Sequence, residues 1–192
     1  MFETICADVL WCPRGVLEAT LELAVEIARE GREGRRIGTL FTLGCTEAVL
    51  RCSRPLILDP IALHPRENRG ITDPNLRGTL KELAQLDGAF VVDEEGTVVA
   101  ACRYLDISSA DVNVTFGLGS RHLAAASVTK ATGCIAVVVS ESAVVRIFHQ
   151  GQLQAEVLPE VWLMNRYSLQ LRGRVQEDHR HDLAIVTPAK PV

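Results

Sequence analysis

The sequence has no run of roughly 18 apolar residues, the length a helix needs to cross a bilayer, so neither a transmembrane anchor nor a membrane partner is expected. Its first residues, MFETICADVLWCP, carry acids and no basic cluster, and are not read as a secretory signal. A basic excess is also missing. Twenty Lys and Arg stand against 24 Asp and Glu, a formal net charge of −4, so the totals offer no broad face for a nucleic-acid backbone, and any bound anion must be met by a local cluster. Six cysteines (Cys6, Cys12, Cys45, Cys52, Cys102 and Cys134) include no C-x-x-C pair, and most sit in apolar runs such as TGCIAVVVS. That usage points to reduced, mostly buried thiols in a cytoplasmic protein and not to a disulfide framework. Repeats and low-complexity tracts are absent as well.

What is present suits one globular unit: 192 residues, 47% hydrophobic and 23% charged, enough for a sizeable core. The segment VLEATLELAVEIARE (16–30) has apolar residues near helical spacing and a glycine after it, which predicts an amphipathic helix. IGTLFTLG (37–44) and PLILD (55–59) read as strands, with a short helix over TEAVLRCS between them. Asp73 can cap a helix and Pro74 can take its first position, with the helix running to about Leu86. GAFVVDEEGTVVAACRYL reads as two strands around an Asp-Glu-Glu-Gly turn. A helix of about ten residues should follow GLGS, then a strand over CIAVVVSE, then a hairpin turning at Gly151. Helices interleaved with hairpins predict a mixed α/β fold, a twisted central sheet flanked by helices. Residues 1–160 form the expected domain, with 161–192 as an extension that could supply a strand, a partner contact or a tail.

Four constellations could carry chemistry. Asp87 in LDGAF sits between a helix and a strand, where Asp-Gly is commonly a turn but can also present a carboxylate to a divalent metal or a hydroxyl. GLGSRH begins like a dinucleotide fingerprint but lacks its third glycine. It fits better as an anion seat at a helix N-terminus, where Gly119 admits a ligand to the backbone, Ser120 caps or donates, and Arg121 grips phosphate oxygens; the plain alternative is a capped helix with two exposed basic residues, Arg121 and His122. Ser127-Val128-Thr129-Lys130 matches the S-x-x-K of acyl-enzymes, with neither companion element. His179 and His181 in EDHRHD could bind a metal, though alternating charge near a terminus usually means a solvated surface.

Asp87-Gly88-Ala89, then Gly119-Ser120-Arg121-His122 some thirty residues on, then VVVSES, together resemble the diadenylate cyclase domain family over roughly residues 16–157. In that family a D-G-A motif and a G-T-R-H-R motif frame an ATP site, and a V-S-E-E segment ends the following strand. The resemblance implies that Asp87 handles a divalent metal (Mn²⁺ or Mg²⁺) and the attacking 3′-hydroxyl, with Gly88 and Ala89 completing its motif. It places Tyr104 and Leu105 against adenine, Gly119, Ser120, Arg121 and His122 against phosphates, and Ser140 and Glu141 in the serine-glutamate segment. Asp87, Arg121 and His122 would then be the catalytic set. Three positions depart from the pattern: Ser120 for threonine, Leu123 for an arginine, and Ser142 for the second glutamate.

The activity implied is condensation of two ATP into cyclic di-AMP with release of two pyrophosphates, by two domains facing each other as a homodimer or within a larger homo-oligomer. The loss of a cation at Leu123 keeps a second reading open, a regulatory module that binds ATP or the cyclic product with little turnover. A serine hydrolase built on Ser127 and Lys130 is the third.

Overall fold

In the computed structural model, which describes residues 14–107, 112 and 118–159 together with the backbone of 173–178 and 183–188, the expected amphipathic helix spans Arg14–Glu30 (α1). Leu17, Leu21, Ala24 and Ala28 recur every three or four residues and are buried, joined by Leu23, Val25 and Ile27. Strand β1 (Thr39–Leu43) is buried at all five positions. It runs parallel to β3 (Ala89–Val92) and antiparallel to β5 (Ile135–Val139). Outside β3 lie β4 (Val98–Leu105) and the edge strand β2 (Ser53–Pro55); outside β5 lie β6 (Val145–His149) and β7 (Gln152–Val157). The order is β2-β4-β3-β1-β5-β6-β7, a mixed seven-stranded sheet. Two further strands, β8 (Gly173–Asp178) and β9 (Leu183–Pro188), pair antiparallel with each other. His179 and His181 lie outside the described residues.

Helices cover both faces, which is why the central strands read as continuous apolar runs and not as alternating ones. On one face α1 and α3 (Pro74–Leu83) pack over Phe41, Leu43, Phe90, Val92, Ile135, Val137 and Val139. On the other, α2 (Thr46–Arg51) and α4 (Ser120–Thr132) pack over Leu40, Ala89, Val91, Ala136 and Val138. The two sets alternate along each strand as the pleat requires. Phe41 and Phe90, neighbours in the parallel register, stack with centroids 4.9 Å apart. Each such fully buried side chain contributes about 1.5–3 kcal/mol.

Local signals explain most of the boundaries. Asp73 Oδ1 accepts hydrogen bonds from the backbone N–H groups of Asn75 (2.7 Å) and Leu76 (3.0 Å), capping α3 with Pro74 in its first turn. The helix stops three residues short of the expected Leu86, because Leu86 N–H bonds back to Leu83 and the tightened turn feeds Asp87 and Gly88 into β3. Gly133, at φ 76°, closes α4 with its N–H on the Thr129 carbonyl.

PLILD is not a strand. β2 ends at Pro55, and Leu56, Ile57 and Leu58 are exposed, the last at 95%. The Leu56 N–H still reaches the Cys102 carbonyl of β4 at 2.9 Å, and the pairing goes no further. Asp59 then anchors the departing chain: its Oδ2 takes the Ala101 N–H of β4, while its Oδ1 takes those of Ile61 and Ala62.

The four described cysteines, Cys45, Cys52, Cys102 and Cys134, are unpaired, as the sequence suggested; Cys6 and Cys12 lie outside the described residues. Burial raises the pKa of each and pushes the Cys134 thiol up to about 12, so these thiols stay protonated at neutral pH. No described helix is long and apolar enough to cross a membrane.

Candidate active site

A cleft of about 290 Å³ opens where the α3–β3 junction meets the first half of α4. On the α4 side it is lined by Ser120, Arg121, Leu123, Ala124 and Ser127. Ser120, Leu123, Ala124 and Ser127 follow the i, i+3, i+4, i+7 spacing that puts helical residues on one face. Opposite lie Asp87, Gly88 and Ala89, with Arg103, Tyr104 and Leu105 of β4 and then Ile107; Leu40 of β1 and Leu56 complete the wall. Leucine, isoleucine and alanine make one part of the cleft apolar, and Asp87, Ser120 and Arg121 supply a polar end. That division is usual for small-molecule sites.

Asp87 reaches this place because Gly88 lets β3 begin tight against β4. Gly88 has φ 102°, and a Cβ there would lie 2.6 Å from the Cys102 carbonyl carbon and 2.8 Å from the Arg103 nitrogen. Register between β3 and β4 shifts at this point, and Cys102 itself sits at φ 53°. The bulge brings β4 backbone under the Asp-Gly step. The Asp87 side chain is 79% exposed; its Oδ1 accepts the Gly88 N–H at 3.0 Å and lies 3.6 Å from Arg121 Nη2. Asp87-Gly88 is therefore a turn and a presented carboxylate at once.

The N-terminus of α4 carries no acid in its first turn, and among the described residues no side chain caps it. Its N-cap is Gly119, in extended backbone, so Ser120 is the first helical residue and does not cap. The open N–H groups and helix dipole favour an anion there. Arg121 adds a full charge, held by Glu141 Oε1 3.2 Å from Nη1 and by Asp87 on the other side.

The expected pair of cations reduces to one. His122 follows Arg121 by about 100° around the helix, is buried to 5% exposure and is not part of the cleft lining. Its Nε2 lies 3.2 Å from Arg146 Nη1, and Arg146 in turn donates to Glu156 at 2.5 Å. Burial pushes the imidazole below the ordinary histidine range, and the Arg146 guanidinium beside it pushes the same way. A neutral ring tying α4 to β6 and β7 is what the geometry describes.

The cleft thus gathers Asp87, Gly88, Ala89, Tyr104, Leu105, Ser120 and Arg121, all singled out in the sequence. Gly119, His122, Ser140 and Glu141 lie outside the lining, although Glu141 touches it through Arg121. Ser140 Oγ is engaged in its own turn with Ser142. Tyr104 is 45% exposed, with the Arg54 guanidinium 4.7 Å from its ring centroid. Leu123 lines the cleft, and so does Arg103, whose Nη2 is committed to the carbonyls of Leu50 and Ser53. The S-x-x-K pattern does not assemble: Ser127 Oγ is shielded from solvent with no hydrogen-bond partner among the described residues, and Lys130 is exposed outside the lining.

Among the described residues no group of three or more His, Cys, Asp or Glu is placed to hold a metal ion. A divalent cation at Asp87 would therefore take one protein carboxylate and fill its shell from phosphate oxygens and water, an arrangement that suits Mg²⁺. Leu40, Leu56, Ile107 and Ala124 were not read from the sequence as site residues. The helical spacing from Ser120 marks Ala124, but nothing local marks the other three.

Residues 26–153 match the protein family described as DisA bacterial checkpoint controller nucleotide-binding, abbreviated DAC. A protein of Methanocaldococcus jannaschii named diadenylate cyclase is 51% identical over 160 residues, covering 83% of this chain and 49% of that protein. A second of the same name, from Haloferax volcanii, is 38% identical over 149 residues, 77% of this chain and 54% of that one. The chain spans about half the length of these curated relatives. Among solved structures, a double mutant of DacA from Staphylococcus aureus superimposes with a TM-score of 0.50 at 18% identity, over 80% of this chain and 94% of that one, a likeness of fold.

Proposed function

The chain belongs to the diadenylate cyclase (DAC) family, and from that premise we propose that it condenses two ATP into cyclic di-AMP and two pyrophosphates. One observation carries the proposal. Asp87 and Arg121, more than thirty residues apart in sequence, face each other 3.6 Å apart in one cleft that leucine, isoleucine and alanine also line. That arrangement suits a nucleotide, with its base against Leu105 and Ile107 and its phosphates at the N-terminus of α4.

In each half-reaction a ribose 3′-oxygen forms a bond to the α-phosphorus of the other ATP, the bond from that phosphorus to pyrophosphate breaks, and the 3′-hydroxyl proton is lost. The chain's task is positioning and charge stabilisation. Arg121 and the N–H groups of the first α4 turn hold phosphate oxygens. Asp87 accepts from the hydroxyl and would hold a Mn²⁺ or Mg²⁺ ion, whose charge offsets that on the reacting phosphates. Tyr104 and Leu105 pack on the base. His122 acts through its neighbours and does not touch substrate.

The product is two-fold symmetric and one cleft holds one such set, so two chains meet face to face across an isologous contact. The test is incubation of pure protein with ATP and either metal, with cyclic di-AMP sought by mass spectrometry. No product under both metals, with ATP binding intact, favours the alternative of a nucleotide-binding regulatory module. The observation behind that alternative is Leu123 in the cleft wall, where the family motif has an arginine.

A further inference from the structure

The position of Arg121 depends on a residue that none of the motifs includes. A Cβ built on Gly38 would lie 2.8 Å from Arg121 Nη1, 3.3 Å from its Cζ and 3.3 Å from Glu141 Cγ. Gly38 does not have a positive φ, so other residues could adopt its backbone; what the site uses is the missing side chain. The sheet explains the meeting. β1 and β5 are antiparallel with Thr39 opposite Val139, so the residue ahead of β1 lies beside the turn that follows β5 and carries Glu141. Gly38 leads directly into the fully buried β1, which leaves it little freedom to retreat.

We propose that Gly38 is a positioning residue: its bare backbone is the floor on which the Arg121–Glu141 pair rests, and it sets the guanidinium at the phosphate end of the cleft before substrate arrives. An alanine there meets the flexible end of an arginine, so the arginine yields and the strand does not. The fold survives and the cation moves. In its link to turnover the inference rests on the cyclase reading; in its link to triphosphate binding it does not.

The experiment compares wild type, Gly38→Ala, Arg121→Ala and the double variant. Each is titrated calorimetrically with a non-hydrolysable ATP analogue and with adenosine, and each has its Tm measured. Gly38→Ala is expected to weaken the triphosphate about tenfold, the scale of a displaced charge-assisted contact. It should leave adenosine binding and Tm unchanged and add nothing in the Arg121→Ala background. Wild-type triphosphate affinity in Gly38→Ala, an equal loss for adenosine, an additive loss in the double variant, or a Tm fall beyond about 5 °C would each overturn it. The two readings fail separately. Wild-type protein that binds the analogue but makes no cyclic di-AMP sinks the cyclase reading alone, whereas normal wild-type turnover with an unaffected Gly38→Ala sinks this inference alone.

Discussion

Replacing Gly88 with alanine tests the geometry that presents Asp87. Two costs arise together. At φ 102° an alanine occupies backbone that L residues rarely adopt, a strain of roughly 1–3 kcal/mol. Its Cβ would also lie 2.6, 2.8 and 2.9 Å from the Cys102 carbonyl carbon, the Arg103 nitrogen and the Cys102 Cα. Carbon contacts are comfortable near 3.5–4 Å, so β3 and β4 must part by about 1 Å at the bulge. Backbone cannot swing aside as a side-chain end can, and overpacking of this kind costs about 1–3 kcal/mol. The sum, roughly 2–6 kcal/mol, corresponds to a Tm lower by on the order of 10 °C for a chain of this length. Gly133→Ala is the control. Gly133 also has positive φ, 76°, but among the described residues nothing lies within 4 Å of a Cβ there, so it bears the strain without the clash. Thermal unfolding by circular dichroism measures both variants. If Gly88→Ala loses no more stability than Gly133→Ala, the close approach of β4 is not what requires glycine, and the account of how Asp87 is placed fails.

Three further outcomes follow from the same geometry. Asp87→Asn should lower turnover about 100-fold or more while changing ATP affinity by only a few-fold, because in the proposed reaction the carboxylate serves the hydroxyl and metal whereas Arg121 and the helix terminus hold the triphosphate; pyrophosphate release and equilibrium dialysis measure the two, and a near-normal rate would return Asp87 to the role of a turn residue. Leu123→Arg, which adds a cation to the cleft wall, should raise kcat by about tenfold and alter ATP affinity less; loss of activity in a folded variant would mean Leu123 is needed for packing. His122 predicts a pH dependence of stability. Its folded pKa lies below the ordinary 6.5, so as pH falls through that value the unfolded chain takes up a proton that the buried ring resists, and stability drops until the folded pKa is reached. Between pH 7 and 5.5 the stability of His122→Gln should therefore fall less steeply than that of wild type in urea titrations, and equal slopes would show that the ring titrates normally.

How much of this was legible in sequence depended on how local each determinant is. The helix cap at Asp73-Pro74, the Gly133 stop and the turn between β3 and β4 are set by residues within a few positions of one another, and those elements fell where expected. The motifs around Asp87 and Arg121 were likewise visible as short strings. The run PLILD misled because its apolar residues fit a strand, while after the Leu56 N–H bonds the Cys102 carbonyl the next β4 donor, the Ala101 N–H, goes to the Asp59 side chain instead of to backbone. His122 looked like a second cation because adjacency in a string says nothing about direction around a helix; burial beside Arg146 makes it a neutral strut. Leu40, Leu56 and Gly38 had no local signal, since Leu40 and Gly38 meet the cleft or its arginine only after β1 is inserted between β3 and β5, and Leu56 only after β2 pairs with β4. By itself the chain determined its elements, its two-sided sheet and the chemical groups at its disposal, because periodicity and capping act over a few residues. Which of those groups share a cleft, and where Arg121 rests between Asp87 and Glu141, was decided only by the tertiary structure, because strand order and register join positions that lie far apart in sequence.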